Sequence, residues 1–579
     1  MEQSTSLLHR LDELNAIGVA LSSERDINRL LEIILIAAKR ITNSDAGTLY
    51  LVDATQQVLN FEIVHNDTLG IALGGTTGKA ITFSPIQLHD ATGQPNHHMV
   101  VAYAALNGKT INIPDAYAAE GYDFSGTRAF DHKTGYHSTS FLTVPMMNHE
   151  NETIGVLQLI NAKGQKNSAF HEPEIHWTEI THPQISQPVN VSSKGMQDKA
   201  EQGVVPFSLA DQHLVESLAS QAAIALTNRR LIQQMEELFE SFIGMINTAI
   251  DDKSAYTGGH CERVPILTML LAEAASRTKT GPLKDFFMTD KDRYELKIAG
   301  LLHDCGKVTT PVHVVDKATK LHTLFDRINL IDERFEILKR DAEIAMLREM
   351  MQARALPAEQ IKQVQANFQE AFELRCQHLD QDRIFLRHCN RGSEKMTEAD
   401  QERVRQIAQY RWRNPAGEEI NFLTADEIEN LTIRAGTLTA AERKIINHHI
   451  EVTITMLESL PWPKHLKNAP EYAGGHHERM DGTGYPRGLT RDQMSVQARA
   501  MGIADIFEAL TAKDRPYKEG KTLTESLHIL GKFKLNGHID PDLFDIFVRE
   551  KIYLTYARQF LDPDQVGEVD ESKIPGYVP

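Results

Sequence analysis

The chain is expected to be multidomain: an α+β domain with an antiparallel sheet and flanking helices, then a coiled-coil linker helix, then an all-α domain. Three observations predict this. At roughly 100–200 residues per domain, 579 residues exceed what one core serves. Strand-like segments joined by polar turns fall in the first third, and helical patterning fills the rest. Between them runs a series of apolar residues in steps of four and three, the signature of a coiled coil.

The elements follow in order. Residues 12–41 carry an amphipathic helical pattern. Residues 45–52 and 58–64 read as strands joined by a polar turn, and residues 141–146 and 153–161 as a second pair around the turn 149–152. Residues 164–206, rich in Lys, Gln, His, Pro and Ser without periodicity, read as a surface insertion. Ser208, three residues before Asp211, suits a helix N-cap, and its helix runs to about residue 250. On it Ile224, Asn228, Leu231, Met235, Leu238, Phe242, Met245 and Ala249 form a heptad seam, which predicts a homodimer with Asn228 fixing register. The expected boundaries are 1–207 for the first domain, 208–250 for the linker and 251–579 for the last. A helical insertion occupies 319–435, where Ile331, Phe335, Leu338, Ala342 and Ala345 predict a hairpin.

Composition excludes some classes of function. The balance of 61 Lys+Arg against 79 Asp+Glu gives a net charge of -18, which argues against nucleic-acid polymers and anionic membranes as partners. A local basic pocket would still take a small anion. No stretch approaches the ~20 apolar residues of a membrane span. The four cysteines form no CxxC pair, so a reducing, cytoplasmic setting is expected, with Cys261 and Cys305 as packing residues.

The last domain carries the chemistry. His303-Asp304-Cys305-Gly306-Lys307 and His476-His477-Glu478-Arg479-Met480-Asp481-Gly482-Thr483-Gly484-Tyr485-Pro486 gather imidazoles and carboxylates, the side chains that hold borderline divalent cations for hydrolysis. Thr439 to Glu442 form a capping box ahead of His448 and His449. Gly482, Gly484 and Pro486 build a tight loop, with Glu478 and Asp481 expected to fix it by hydrogen bonds. Trp412, between Arg411 and Arg413, reads as a packed surface aromatic.

Two resemblances rest on these residues. Residues 12 to about 230 resemble a GAF domain, through Asn112-Ile113-Pro114-Asp115-Ala116-Tyr117 and Phe130-Asp131-His132-Lys133-Thr134-Gly135-Tyr136. The resemblance implies a small ligand there or a role in dimerisation and relay. Ile113 stands where cyclic-nucleotide-binding members carry Lys.

Residues 244–579 resemble an HD-GYP domain, through the HDxGK and HHExxDGxGYP signatures and Arg515-Pro516-Tyr517-Lys518. That resemblance implies metal ligands at His260, His303, Asp304, His449, His476, His477 and Asp505, with Asp304 bridging. A further acidic ligand falls to Asp252 or Asp251. It implies two or three divalent ions, iron or manganese, with Lys307, Arg515, Lys518 and Tyr485 contacting substrate. The implied activity is hydrolysis of cyclic di-GMP to the linear dinucleotide, with further hydrolysis to GMP left open. The alternatives are 3′,3′-cyclic GMP-AMP as substrate, or a catalytically silent sensor of cyclic dinucleotides.

Overall fold

The computed structural model describes residues 2–53, 55–164, 203–253, 259–354, 358–392, 395–513 and 520–579. They divide into two compact units, Met1–Leu238 and Phe239–Pro579.

The first unit is built on one antiparallel sheet. Its strands are β1 (Ser44–Asp53), β2 (Val58–Asn66), β3 (Ile71–Gly74), β4 (Ile86–Gln87), β5 (Ile111–Ile113), β6 (Phe141–Met147), β7 (Thr153–Lys163) and β8 (Val204–Val205). The order is β3-β2-β1-β7-β6-β5, with β4 on β2 and β8 on β7. Both expected strand pairs are present, and β1 also pairs with β7, matching Leu49 to Leu157. The period of two sorts the side chains. Leu49, Leu51, Leu157 and Leu159 pack with Ile33, Ile34 and Ala37 of the helix Ile27–Ile41 and with Leu218 and Ala222. Tyr50 and Val156 face the other way, against Val101 and Ala104.

The helical region read at 12–41 is two helices, Glu2–Ser23 and Ile27–Ile41. A carboxylate oxygen of Glu24 accepts the N–H groups of Arg25 and Asp26, and Asp26 caps the second helix through the N–H of Arg29. Local side chains thereby replace the helical ladder at the break. Of the surface insertion read at 164–206, residues 165–202 lie outside the described residues.

The helix Leu209–Lys253 starts with Ser208 and Asp211 exchanging the bonds of a capping box. Leu214, Leu218 and Leu226 are buried in the first unit's core, and Ile243 and Ile250 in the second's. The heptad residues Ile224, Leu231, Met235, Leu238, Phe242 and Met245 are exposed on it.

In the second unit one core joins Val264 and Leu267 of the helix His260–Arg277, Ile298 and Leu302 of Asp290–Leu302, Ile503 and Phe507 of Val496–Thr511, and Phe544 and Phe547 of Pro541–Arg549. Each such side chain contributes about 1.5–3 kcal/mol by leaving water, which fixes the helices whose ends carry the site. Residues 319–435 form a separate cluster around Phe335, Leu379, Leu386 and Phe422. Its helices Ile328–Ala353 and Ala358–Asn390 pack as a hairpin. Ile331, Phe335 and Leu338 are buried, whereas Ala345 is exposed because the core ends before it.

The reading of this region as almost wholly helical needs correcting at β9 (Arg411–Arg413) and β10 (Glu419–Asn421), an antiparallel pair. Asn414 bonds to Glu418, and Gly417 takes a positive φ of 83° to close the turn. Trp412 packs on the cluster with the Arg334 guanidinium 5.6 Å from its ring centre, as expected of a packed aromatic. Among the described residues no helix is long and apolar enough to cross a membrane.

Candidate metal centre

Five chain segments of the second unit converge on one buried carboxylate. His260 opens its helix, with Gly259 before it at a φ of 74°. His303 ends the helix Asp290–Leu302, and Asp304 leads into the short turn Cys305–Thr309. His449 sits midway along Ala440–Glu458, which starts at the expected Thr439–Glu442 capping box. His476 and His477 follow Ala469–Gly474, and Asp505 lies within Val496–Thr511.

Asp304 is 1% exposed. Its Oδ2 lies 3.1 Å from His260 Nε2, 3.2 Å from His303 Nε2 and 2.5 Å from Lys307 Nζ. Its Oδ1 lies 3.2 Å from His449 Nε2. Asp505 Oδ1 lies 3.2 Å from His260 Nε2. Two groups result, Asp304 with His449, His476 and His477, and Asp304 with His260, His303 and Asp505, each with donor atoms within 4.8 Å of one another.

The imidazoles are pre-oriented. His303 Nδ1 donates to the Gly300 carbonyl at 2.7 Å, His449 Nδ1 to Ile446 at 2.5 Å and His476 Nδ1 to Ala473 at 2.6 Å. Each ring thus spends its proton on a carbonyl three residues back and turns the Nε2 lone pair inward. His476 Nε2 is buried with no hydrogen-bond partner among the described residues, and His477 Nε2 faces His449 Nε2 at 3.2 Å. An orphaned buried acceptor is costly unless a cation lies beside it. The residues present therefore fit divalent ions.

The charges agree. Burial alone raises the Asp304 carboxyl, but Lys307 and the flanking imidazoles override it and hold it well below the usual range. Asp505 is likewise held low against its burial by His260. Burial and the neighbouring His303 push His476 down to about 4, and burial with His476 pushes His477 down, so both stay neutral as ligands must. Burial raises the thiols of Cys261 to about 12 and of Cys305 to about 11, which leaves them inert packing groups.

Glu508 escaped the sequence reading. It is 1% exposed, accepts from His260 Nδ1 at 2.5 Å and from Arg263 Nε at 2.8 Å, and so orients His260. The signal was its place three residues after Asp505, one turn along the same helix face. Glu508→Gln is expected to weaken divalent-ion binding about 10–100-fold, as loss of such supporting partners does. Titration against a chelating dye measures this, and an unchanged affinity would show that packing alone orients the ring.

The remaining candidates fall as follows. Lys307 lies against Asp304, and Tyr485 stacks on His477 with ring centres 5.0 Å apart. Glu478 accepts the N–H groups of Arg487 and Leu489, and Asp481 accepts the N–H and the hydroxyl of Thr483, so both fix the loop. His448 points outward to Glu451. Asp252 is exposed and belongs to neither group of four, while Asp251 accepts the Gly259 N–H at 3.3 Å. Arg515 and Lys518 lie outside the described residues.

Residues 26–187 match the family profile of the GAF domain, and residues 257–400 and 424–543 match two profiles of the HD domain. A cyclic di-GMP phosphodiesterase of Pseudomonas aeruginosa is 42% identical over 97 residues, covering 17% of this chain and 23% of that protein. A 3′3′-cGAMP-specific phosphodiesterase of Vibrio cholerae is 44% identical over 79 residues, 14% of this chain and 18% of that one. A cyclic di-GMP phosphodiesterase of Thermotoga maritima is 31% identical over 138 residues, 24% and 36% respectively. The chain thus spans between 18% and 36% of the length of these relatives.

Proposed function

Since the chain carries a GAF domain ahead of an HD domain, we propose that it is a metal-dependent phosphodiesterase that hydrolyses cyclic di-GMP to the linear dinucleotide. The carrying observation is that Asp304 belongs to both four-residue groups, the arrangement of a carboxylate shared between two cations. His260, His303, Asp304 and Asp505 would hold one ion and Asp304, His449, His476 and His477 another, with iron or manganese favoured by the mixed imidazole and carboxylate donors. Asp252 or Asp251 is kept as the acidic ligand of a third. When bound, the ions supply Lewis-acid activation of the phosphodiester and of a water.

The chain's own groups do the rest. Lys307 brings a buried ammonium to the edge of the site, where it offsets phosphate charge, and Arg515 and Lys518 extend that role. Tyr485, backed by His477, offers a ring at the site's rim. 3′,3′-Cyclic GMP-AMP is the second reading, favoured by the likeness to the Vibrio cholerae enzyme.

The exposed heptad stripe of Leu209–Lys253 supports a homodimer through a coiled coil. That helix contributes to both cores, which makes it the element through which the GAF domain would regulate hydrolysis. A cavity of about 400 Å³ lined by Tyr50, Phe61, Phe124 and Gln158 supports a small ligand as the regulator.

The test is turnover of both dinucleotides by protein purified without oxygen, with metal content and sedimentation measured on the same sample. Hydrolysis by a dimer holding two or three ions per chain is expected. Metal-loaded protein that turned over neither substrate would favour the silent sensor, and a monomer would remove the coiled coil from the reading.

A further inference from the structure

We propose that the groove beside Tyr485 is a guanine-reading subsite in which Glu451 selects one base of the dinucleotide, a proposal that rests on the phosphodiesterase reading above. The groove measures about 570 Å³ and is walled by Thr310, Lys444, Asn447, His448, Glu451 and Tyr485. Its lining shares three chain segments with the metal centre. Its helix carries His449, the turn that Asp304 opens runs on to Thr310, and Tyr485 stacks on His477.

Lys444, Asn447, His448 and Glu451 follow the spacing i, i+3, i+4, i+7, so they share one face of Ala440–Glu458. His448, set outside the ion-binding groups, holds Glu451 Oε2 at 2.7 Å and acts as its positioning residue. The Glu451 side chain is 59% exposed, so its second oxygen has room for a ligand. Thr310 Oγ1 is buried in the wall with no hydrogen-bond partner among the described residues.

The chemistry of this wall suits guanine. Guanine presents adjacent donors at N1 and N2, which a carboxylate accepts as a pair, and acceptors at O6 and N7 for a cation such as Lys444. Adenine presents a lone pair at N1, which a carboxylate repels. An unstacked base is read on its Watson–Crick edge while lying on an aromatic ring, the part Tyr485 is placed to take.

Seating one guanine here also fixes which of the two phosphates meets Asp304. Cyclic di-GMP, being symmetric, hides this. Cyclic GMP-AMP has two inequivalent bonds, and only one would be hydrolysed, water adding to phosphorus as the bond to the 3′ oxygen breaks.

The experiment compares the metal-loaded full chain with Glu451→Gln. Its readouts are kcat/KM for cyclic di-GMP and cyclic di-AMP, calorimetric binding of cyclic di-GMP, and the sequence of the linear product from cyclic GMP-AMP. The wild type is expected to release one linear isomer. Glu451→Gln is expected to lower binding and kcat/KM for cyclic di-GMP about 10–100-fold, to raise kcat/KM for cyclic di-AMP by about 2–10-fold as the repulsion of adenine N1 is lifted, and to release both isomers. An unchanged preference, or both isomers from the wild type, overturns the subsite.

Bis(p-nitrophenyl) phosphate, which has no base, separates the two levels of the argument. Wild-type hydrolysis of this ester without preference among dinucleotides overturns the subsite alone. Hydrolysis of neither ester nor dinucleotides overturns the phosphodiesterase reading, and the calorimetric comparison then decides the subsite by itself.

Discussion

Asp304→Asn is expected to remove dinucleotide hydrolysis, by about 10⁴-fold or more, because it strikes a group on which the other catalytic parts depend. Oδ2 faces His260, His303 and Lys307, while Oδ1 faces His449. An amide keeps the shape and one acceptor, but its NH₂ puts hydrogens where an imidazole lone pair or an ion should sit. It also removes the carboxylate charge 2.5 Å from the Lys307 ammonium, in a site where His260, His303, His449 and His476 are buried. Both four-residue groups lose a charged donor at once. The measurement is metal content with turnover on one sample, with circular dichroism to confirm that the fold persists. Protein that held its ions and kept its rate would show that Asp304 only fills space.

Much of this site was legible in residue types and spacing, because side chains that bind borderline divalent ions come from few residue types, chiefly His, Asp, Glu and Cys, and the turns beside them restrict what surrounds them. His303-Asp304 and His476-His477 were readable for that reason, and the structure brings both pairs together with His260, His449 and Asp505. The helix turns His449 inward and His448 outward, as the HD-GYP resemblance implies. Glu508 was hidden. A carboxylate that orients a histidine 248 positions earlier leaves no local mark beyond a shared helix face.

The fold was readable where patterns are long. The four strands of the two expected pairs carry apolar residues along seven to eleven positions, whereas β3, β4, β5 and β8 are two to four residues long and too short to stand out. The break at Glu24–Asp26 depends on carboxylates capturing backbone N–H groups, which apolar periodicity does not record. The short hairpin β9–β10 was obscured because helices flank it on both sides.

Gly306→Ala is expected to disturb the same site from the backbone side. A Cβ at Gly306 would lie 2.0 Å from the His449 carbonyl oxygen and 2.7 Å from the backbone nitrogen and the Oγ1 of Thr453. Two of these obstacles are main chain in the helix Ala440–Glu458, so no rotamer change relieves the clash. The existing contact is close because the Gly306 N–H donates to Thr453 Oγ1 at 2.9 Å, tying the turn after Asp304 to the helix that bears His449. One methyl group must therefore part that turn from the helix and carry His449 away from Asp304 Oδ1, now 3.2 Å off.

Overpacking of this kind costs about 1–3 kcal/mol, and the upper end or beyond is expected because backbone must move. Urea unfolding should show that loss, and metal analysis should show depletion of the group containing His449. Gly244→Ala is the control. It lies in the helix Leu209–Lys253 with nothing within 4 Å of the added carbon, so the same change there should stabilise by about 1 kcal/mol or less. Opposite signs at the two glycines would tie the HDxGK glycine to contact with the His449 helix. A Gly306→Ala protein as stable and as metal-rich as the wild type would break that link.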